Sequence, residues 1–217
     1  LEAGAVVAIA GRRPEQLAGV AESPRLEQHP LDATHSDEVE VLVRSLKERH
    51  GLVNAAGSLL LKPAHLTTDD EWHATLQATL TTAFAVVRAA GKVLLSSAAA
   101  RIGLANHEAI SAAKAGVIGL AMAAAATYGS TGLRFNVVAP GLVRTPLTSR
   151  IVENEASLKA SVAMHAVGRV GEPEDVASLI AWLLDPANSW LLDPANSWVT
   201  GQVFGVDGGL GTVRTRG

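Results

Sequence analysis

With 217 residues, 48% hydrophobic content and a net charge of -3, the chain suits one globular domain over residues 1–217 with a sizeable core, which excludes global disorder. It has no cysteine, which removes disulfides, thiolate metal sites and cysteine nucleophiles and makes a cytoplasmic location the expectation. Mild acidity and 4% aromatic content offer neither a basic stripe nor stacking platforms, and no apolar stretch approaches the ~20 residues of a membrane span, so neither nucleic acid nor a membrane is an expected partner.

Ala5 to Ile9 reads as a strand turning at Gly11, and Pro14 opens a short helix reaching about Ala21. Leu26 to Leu31 reads as a second strand, and Ser36 as the cap of a helix whose apolar face is Val39, Leu42, Val43 and Leu46. Leu52-Val53 leads into a loop at Asn54. Thr68 then caps a helix carrying Trp72, Leu76, Leu80, Phe84 and Val87, and Lys92 to Leu95 is a buried strand. A long helix covers Glu108 to Tyr128, Arg134 to Val138 returns as a strand, and Pro173 opens a helix to about Leu184. This alternation predicts an α/β fold with a doubly wound parallel sheet, Rossmann-type, in three α/β/α layers.

Two features disturb that rhythm. LLDPANSW at 183–190 recurs letter for letter at 191–198, too short for a solenoid unit and interrupted by prolines, so an inserted surface loop or extra turn is expected there, with Trp190 and Trp198 able to meet a partner subunit. The chain also starts abruptly, with no strand and glycine-rich turn ahead of Ala5, and an element missing from the N-terminus is the expectation.

Several motifs then fall in a telling order: Asn54-Ala55-Ala56-Gly57, Ser97, Lys114, Pro140-Gly141 with Thr145, Thr200-Gly201-Gln202 and Val206-Asp207-Gly208-Gly209. Their order and spacing resemble the short-chain dehydrogenase/reductase family nearly from end to end. The resemblance implies a domain that binds NAD or NADP and transfers hydride between nicotinamide and a small-molecule carbonyl/alcohol pair. It also implies a homo-oligomer, a tetramer, consistent with the Ala121 to Ala126 run allowing close helix packing. Within it, Ser97 matches the catalytic serine and Lys114 the catalytic lysine that holds the nicotinamide ribose. Asn54, Ala55, Ala56, Gly57, Pro140, Gly141 and Thr145 match cofactor-contacting positions.

The departures concern the same site. Ile110 in Glu108-Ala109-Ile110-Ser111-Ala112-Ala113-Lys114 stands where the family places its proton-transferring tyrosine, and isoleucine neither donates nor accepts a proton. Thr79 stands where an asparagine is expected; its hydroxyl can hold a water but lacks an amide's donors and acceptor. The family's TGxxxGxG turn has no counterpart, and the stretches before Leu52 and Lys92 run a few residues short. Tyr128 reads as packing at a helix end. His107 is the first substitute acid to consider and Glu108 the second, although both also suit a helix start.

Arg12 and Arg13 follow the first strand, where the family reads the adenine ribose, and their guanidinium groups favour the 2'-phosphate of NADP over the diol of NAD. Asp32, after the next strand, resembles an adenine-contacting residue and equally suits a turn cap. Arg101, Arg144 and Arg169 read as solvated or interface arginines rather than substrate ligands. The seven histidines are dispersed and no metal site is expected. Three readings follow: an oxidoreductase, a weak or inactive relative that binds nucleotide or small molecules, and a structural or interaction protein without cofactor.

Overall fold

The computed structural model describes residues 4–20, 23–46, 50–89, 93–184 and 198–213. Its strands are β1 (Val7–Gly11), β2 (Leu26–Pro30), β3 (Val53–Asn54), β4 (Val93–Leu95), β5 (Asn136–Pro140) and β6 (Val203–Val206). All pairings among them are parallel, but the single sheet expected is divided: β1 pairs only with β2, while β3-β4-β5-β6 form a separate four-stranded sheet. The helices are α1 (Pro14–Ala18), α2 (Ser36–Ser45), α3 (Asp69–Leu76), α4 (Thr82–Arg88), α5 (Glu108–Tyr128), α6 (Ser149–Val152), α7 (Glu155–Met164) and α8 (Pro173–Leu184).

The larger sheet is buried on both faces, and strand alternation sorts its side chains between two cores. Leu94 and Val137 face Ala83, Val86, Val117 and Ala121 of α4 and α5, whereas Val93 and Val138 face Val176 and Leu183 of α8. That is the three-layer arrangement. The two-stranded sheet joins the first core through α2, whose Val39 and Val43 pack with the α4 and α5 residues.

Several local expectations need correction. The first strand begins at Val7, where its pairing with Leu26 starts, and includes Gly11. The first helix ends at Ala18, closed by Gly19. His35, not Ser36, is the N-cap of α2; Ser36 is its first helical residue, and its hydroxyl accepts a bond from the Arg88 guanidinium at 2.9 Å. The strand placed at Arg134 begins at Asn136, because Phe135 instead donates its N–H to the Thr200 hydroxyl at 3.0 Å and accepts from Gly201 N–H at 2.7 Å. Lys92 and most of the duplicated LLDPANSW segment, Trp190 included, lie outside the described residues, while Trp198 is exposed.

The helix after Thr68 buries a different face from the expected one. Thr68 caps it as expected, accepting the Glu71 N–H while the Glu71 carboxylate accepts the Thr68 N–H. A π turn over Gln77–Thr81 then separates α3 from α4 and rotates the register. Thr75, Thr79, Thr82, Ala83 and Val86 are buried, whereas Trp72 and Phe84 of the expected apolar stripe are 37% and 51% exposed.

The expectation that no apolar stretch is long enough to cross a membrane is also corrected: Glu108–Thr131 is, by length and composition. Here the same apolarity follows from a central position, with Ala109, Ile110, Ala113, Val117, Ala121, Ala124 and Ala125 buried along α5. Ala121, Ala124 and Ala125 of the alanine run thus serve the chain's own core.

Candidate functional site

In a parallel sheet, loops leaving the carboxyl ends of the strands gather on one edge. Asn54 ends β3 there, and its amide shapes the turn that follows: Oδ1 accepts the Ala56 N–H at 3.1 Å and Nδ2 donates to the Thr82 hydroxyl at 3.4 Å. This turn carries Gly57 over the side chain of Lys114. A β-carbon at Gly57 would stand 3.4 Å from Lys114 Nζ and 4.0 Å from Thr79 Oγ1, so the three residues border one small space.

Lys114 reaches that space from α5 because β4 and α5 are tied at this point. Ser96 donates its hydroxyl to the Lys114 carbonyl at 2.8 Å, and Lys114 Nζ donates to the Leu95 carbonyl at 3.0 Å. The residue as a whole is only half-buried, yet its ammonium is desolvated with no carboxylate beside it, and burial pushes its pKa down from 10.5 to about 8. Thr79 is 1% exposed, and its hydroxyl has no hydrogen-bond partner among the described residues; the Ser58 hydroxyl, next to Gly57, is likewise buried and unpartnered. The dry ammonium and the unpaired Thr79 hydroxyl make a polar niche suited to an acceptor-rich ligand.

Ser97 follows directly, its Oγ accepting the Ala99 N–H at 3.1 Å, a capping bond that leaves the hydroxyl proton uncommitted. Ile110 lies one helical turn before Lys114 and is 3% exposed, an apolar side chain at the niche's end of α5. His107 is the N-cap residue of α5, and its ring Nδ1 lies 2.7 Å from the Ala105 carbonyl. Neighbouring Asn106 adopts a left-handed φ of 63°. Tyr128 sits at the far end of the same helix, its ring 5.8 Å from that of Phe135.

The next loop along the edge begins at Pro140-Gly141 and is held at nearly every residue. Gly141 N–H donates to Val206, Arg144 N–H to Gly171, and Gly171 N–H back to Leu142. Thr145 donates its N–H to the Thr148 hydroxyl at 3.0 Å, and the two hydroxyls lie 3.1 Å apart. Sequence reasoning missed the residue beneath this loop, His165, which is 3% exposed and accepts the Leu142 N–H. No motif marked it, because a lone histidine among seven carries no spacing signal and its role depends on a contact 23 residues away.

Arg12 and Asp32 occupy the corresponding end of the two-stranded sheet, their side chains 3.9 Å apart. Asp32 acts as a turn cap, accepting from the N–H and hydroxyl of Thr34 at 2.9 and 2.8 Å, and these bonds, with Arg12, hold its pKa low. Arg13 is exposed before α1. Arg144 pairs with Glu172, and Arg169 forms a two-pronged pair with Asp175. A shallow groove of about 470 Å³ between β2 and α2, lined by His29, Leu31, Glu38 and Leu42, lies away from Lys114 and holds none of these groups.

Residues 1–211 match the family described as enoyl-(acyl carrier protein) reductase. The chain is 39% identical over 116 residues to a 2,5-dichloro-2,5-cyclohexadiene-1,4-diol dehydrogenase of Sphingobium indicum, a match spanning 53% of this chain and 43% of that protein. It is 32% identical over 216 residues to a cyclohexanol dehydrogenase of Acinetobacter sp., covering 94% of this chain and 76% of the relative. Among solved structures, a short-chain type dehydrogenase/reductase from Mycobacterium ulcerans superposes with a TM-score of 0.83 at 31% identity, over 96% of this chain and 81% of that one.

Proposed function

The chain belongs to the short-chain dehydrogenase/reductase family, and we propose that it is an NAD(P)-dependent oxidoreductase working on a small-molecule carbonyl/alcohol pair, with NADP preferred. The observation that carries this reading is the niche at Gly57, Thr79 and Lys114: an ammonium bonded to the Leu95 carbonyl, beside a hydroxyl with no hydrogen-bond partner among the described residues. These donors fit the diol of a nicotinamide ribose. The loops at Asn54–Gly57, Pro140–Gly141 and Thr145 line the same strand edge. Arg12 supports the preference for a 2'-phosphate, although the nearby Asp32 carboxylate partly offsets its charge.

A bound dinucleotide would supply or accept the hydride. Lys114 would hold its ribose, and the Ser97 hydroxyl would orient the substrate oxygen by donating its free proton. Ile110 contributes no proton, so transfer to that oxygen would fall to solvent or to His107, and turnover would be slow. Ile110 therefore favours a second reading, in which the chain binds dinucleotide with little or no turnover. A homo-oligomer, a tetramer, belongs to the proposal and is supported by the apolar surface at Trp72, Phe84 and Met122; the lack of cysteine supports a cytoplasmic location.

Calorimetric titration of the chain with NADP and NAD, alongside R12A and an assay of NADPH oxidation with cyclohexanone, tests this. Tighter binding of NADP, weakened chiefly in R12A, supports the reading; equal affinities before and after R12A reject the selectivity, and no binding of either dinucleotide by the folded chain rejects the function.

A further inference from the structure

His165 is the C-cap of α7, immediately after Met164, and is buried beneath two loops of the strand edge. Its ring nitrogens face backbone groups of opposite character. Nδ1 lies 2.7 Å from the Ser161 carbonyl, which can only accept, and Nε2 lies 3.2 Å from the Leu142 N–H, which can only donate. A neutral imidazole with its proton on Nδ1 satisfies both bonds at once; the other tautomer satisfies neither, and the imidazolium loses the second.

The packing is as specific as the hydrogen bonding. A β-carbon at Gly141 would stand 2.6 Å from His165 Nε2 and 3.1 Å from Asp207 Cα. His165 also lies beside Gly208, which has a left-handed φ of 56° and whose carbonyl accepts the Val167 N–H at 3.2 Å. The Asp207 carboxylate is occupied within its own turn, accepting the N–H groups of Gly209 and Gly211. His165 thus lies beside two glycines, one from the loop after β5 and one from the turn after β6, each leaving little room for a side chain of its own.

We propose that His165, as the neutral Nδ1–H tautomer, is a positioning residue that fixes the loop from Gly141 to Thr145 and so presets it for dinucleotide. The inference rests on the reading of that loop as part of the cofactor site. Gly141, Leu142 and Arg144 each spend their N–H on a partner outside the loop, and only the Leu142 partner is a side chain. The Thr148 hydroxyl also bonds Val143 and Thr145, but within a local turn, so His165 is the side chain from a distant element through which one substitution can release the loop while leaving the remaining backbone bonds in place.

Asparagine and glutamine separate the two bonds, since an asparagine amide reaches the position of Nδ1 and a glutamine amide that of Nε2. H165N should keep the Ser161 bond and lose the Leu142 bond; H165Q should do the reverse. Amide hydrogen exchange on the dinucleotide-free protein should show Leu142 protected in the wild type and in H165Q, and about 3- to 10-fold less protected in H165N, as for one lost backbone hydrogen bond. NADP affinity should follow the same order, with H165Q near wild type and H165N weakened by a similar factor. Both variants remove the same ring packing, so a merely structural role would weaken them alike.

Imidazole 15N spectra of the wild type, which need no variant to fold, should show a protonated Nδ1 and an unprotonated Nε2. A protonated Nε2 overturns the proposal, as does equal Leu142 exchange in all three proteins, or Leu142 protection that follows this order while NADP affinity is equal in all three. If Leu142 protection follows the expected order but the wild type binds no dinucleotide, the loop-fixing role stands and the cofactor reading fails.

Discussion

Replacing Lys114 with methionine tests the energetic claim at the centre of the niche, because it deletes a buried charge while keeping an apolar stem. Lowering the ammonium from 10.5 to about 8 corresponds to roughly 3 kcal/mol against the charged form in the folded state. Below pH 8 folded and unfolded chains both carry the proton, and folding bears the whole penalty. Between pH 8 and 10.5 the folded chain has released it while the unfolded chain retains it, so this group's contribution to stability rises with pH and levels off above 10.5. The hydrogen bond to Leu95, worth about 1 kcal/mol, is also lost in K114M. At pH 7 the variant should therefore be the more stable protein by about 2 kcal/mol, and the advantage should vanish by pH 10. Urea unfolding of both proteins at pH 7, 8, 9 and 10 measures it, the difference between the curves cancelling every other titrating group. A difference independent of pH would refute the assignment of a desolvated ammonium, and a wild type more stable than K114M at pH 7 would show that its bonds outweigh its burial.

Three further outcomes are expected. I110Y should raise NADPH-dependent carbonyl reduction by ~10²–10⁴-fold in the dinucleotide-bound protein while costing about 1–3 kcal/mol of stability, because the larger ring enters a site only 3% exposed; unchanged turnover with intact dinucleotide binding would place the catalytic defect elsewhere. T68A removes one half of the capping box on α3 and should lower stability by about 1 kcal/mol in urea, with no change in dinucleotide affinity. Arg169 holds the Asp175 carboxyl at about 2, so the pair's stabilisation is complete above the ordinary value of 3.8 and lost as pH falls towards 2; acid unfolding of D175N should show a smaller change across that window.

Much of the fold was legible because period and punctuation agree with it. Pro173 opens α8, Thr68 caps α3, and the apolar periods of α5 and the parallel strands match their elements. What escaped reading depends on contacts rather than pattern. The π turn at Gln77–Thr81 leaves no compositional mark, and tertiary packing rather than side-chain apolarity places threonines instead of Trp72 and Phe84 against the core. The start of β5 is set by Thr200 and Gly201, more than 60 residues away, so local propensity at Arg134 could not place it. The divided sheet was hidden for the same reason, since strand pairing is non-local while strand propensity is not.

The site poses a different question, because Ile110 and Thr79 were visible as departures while their meaning depended on burial. A lysine beside a phenol would give part of its charge to lowering that phenol's pKa; here, among the described residues, its ammonium bonds to a carbonyl alone, and desolvation lowers its own pKa. Exchange of an asparagine for Thr79 removes further polarity from the same space and leaves a hydroxyl with nothing to bond. Such a niche costs stability in the free protein, and that cost is relieved by any ligand that brings acceptors to Lys114 and Thr79. The arrangement is thus stronger as an argument for binding than for proton transfer: the groups that would hold a ribose are in place and under-satisfied, while the group that would move the proton is a buried hydrocarbon.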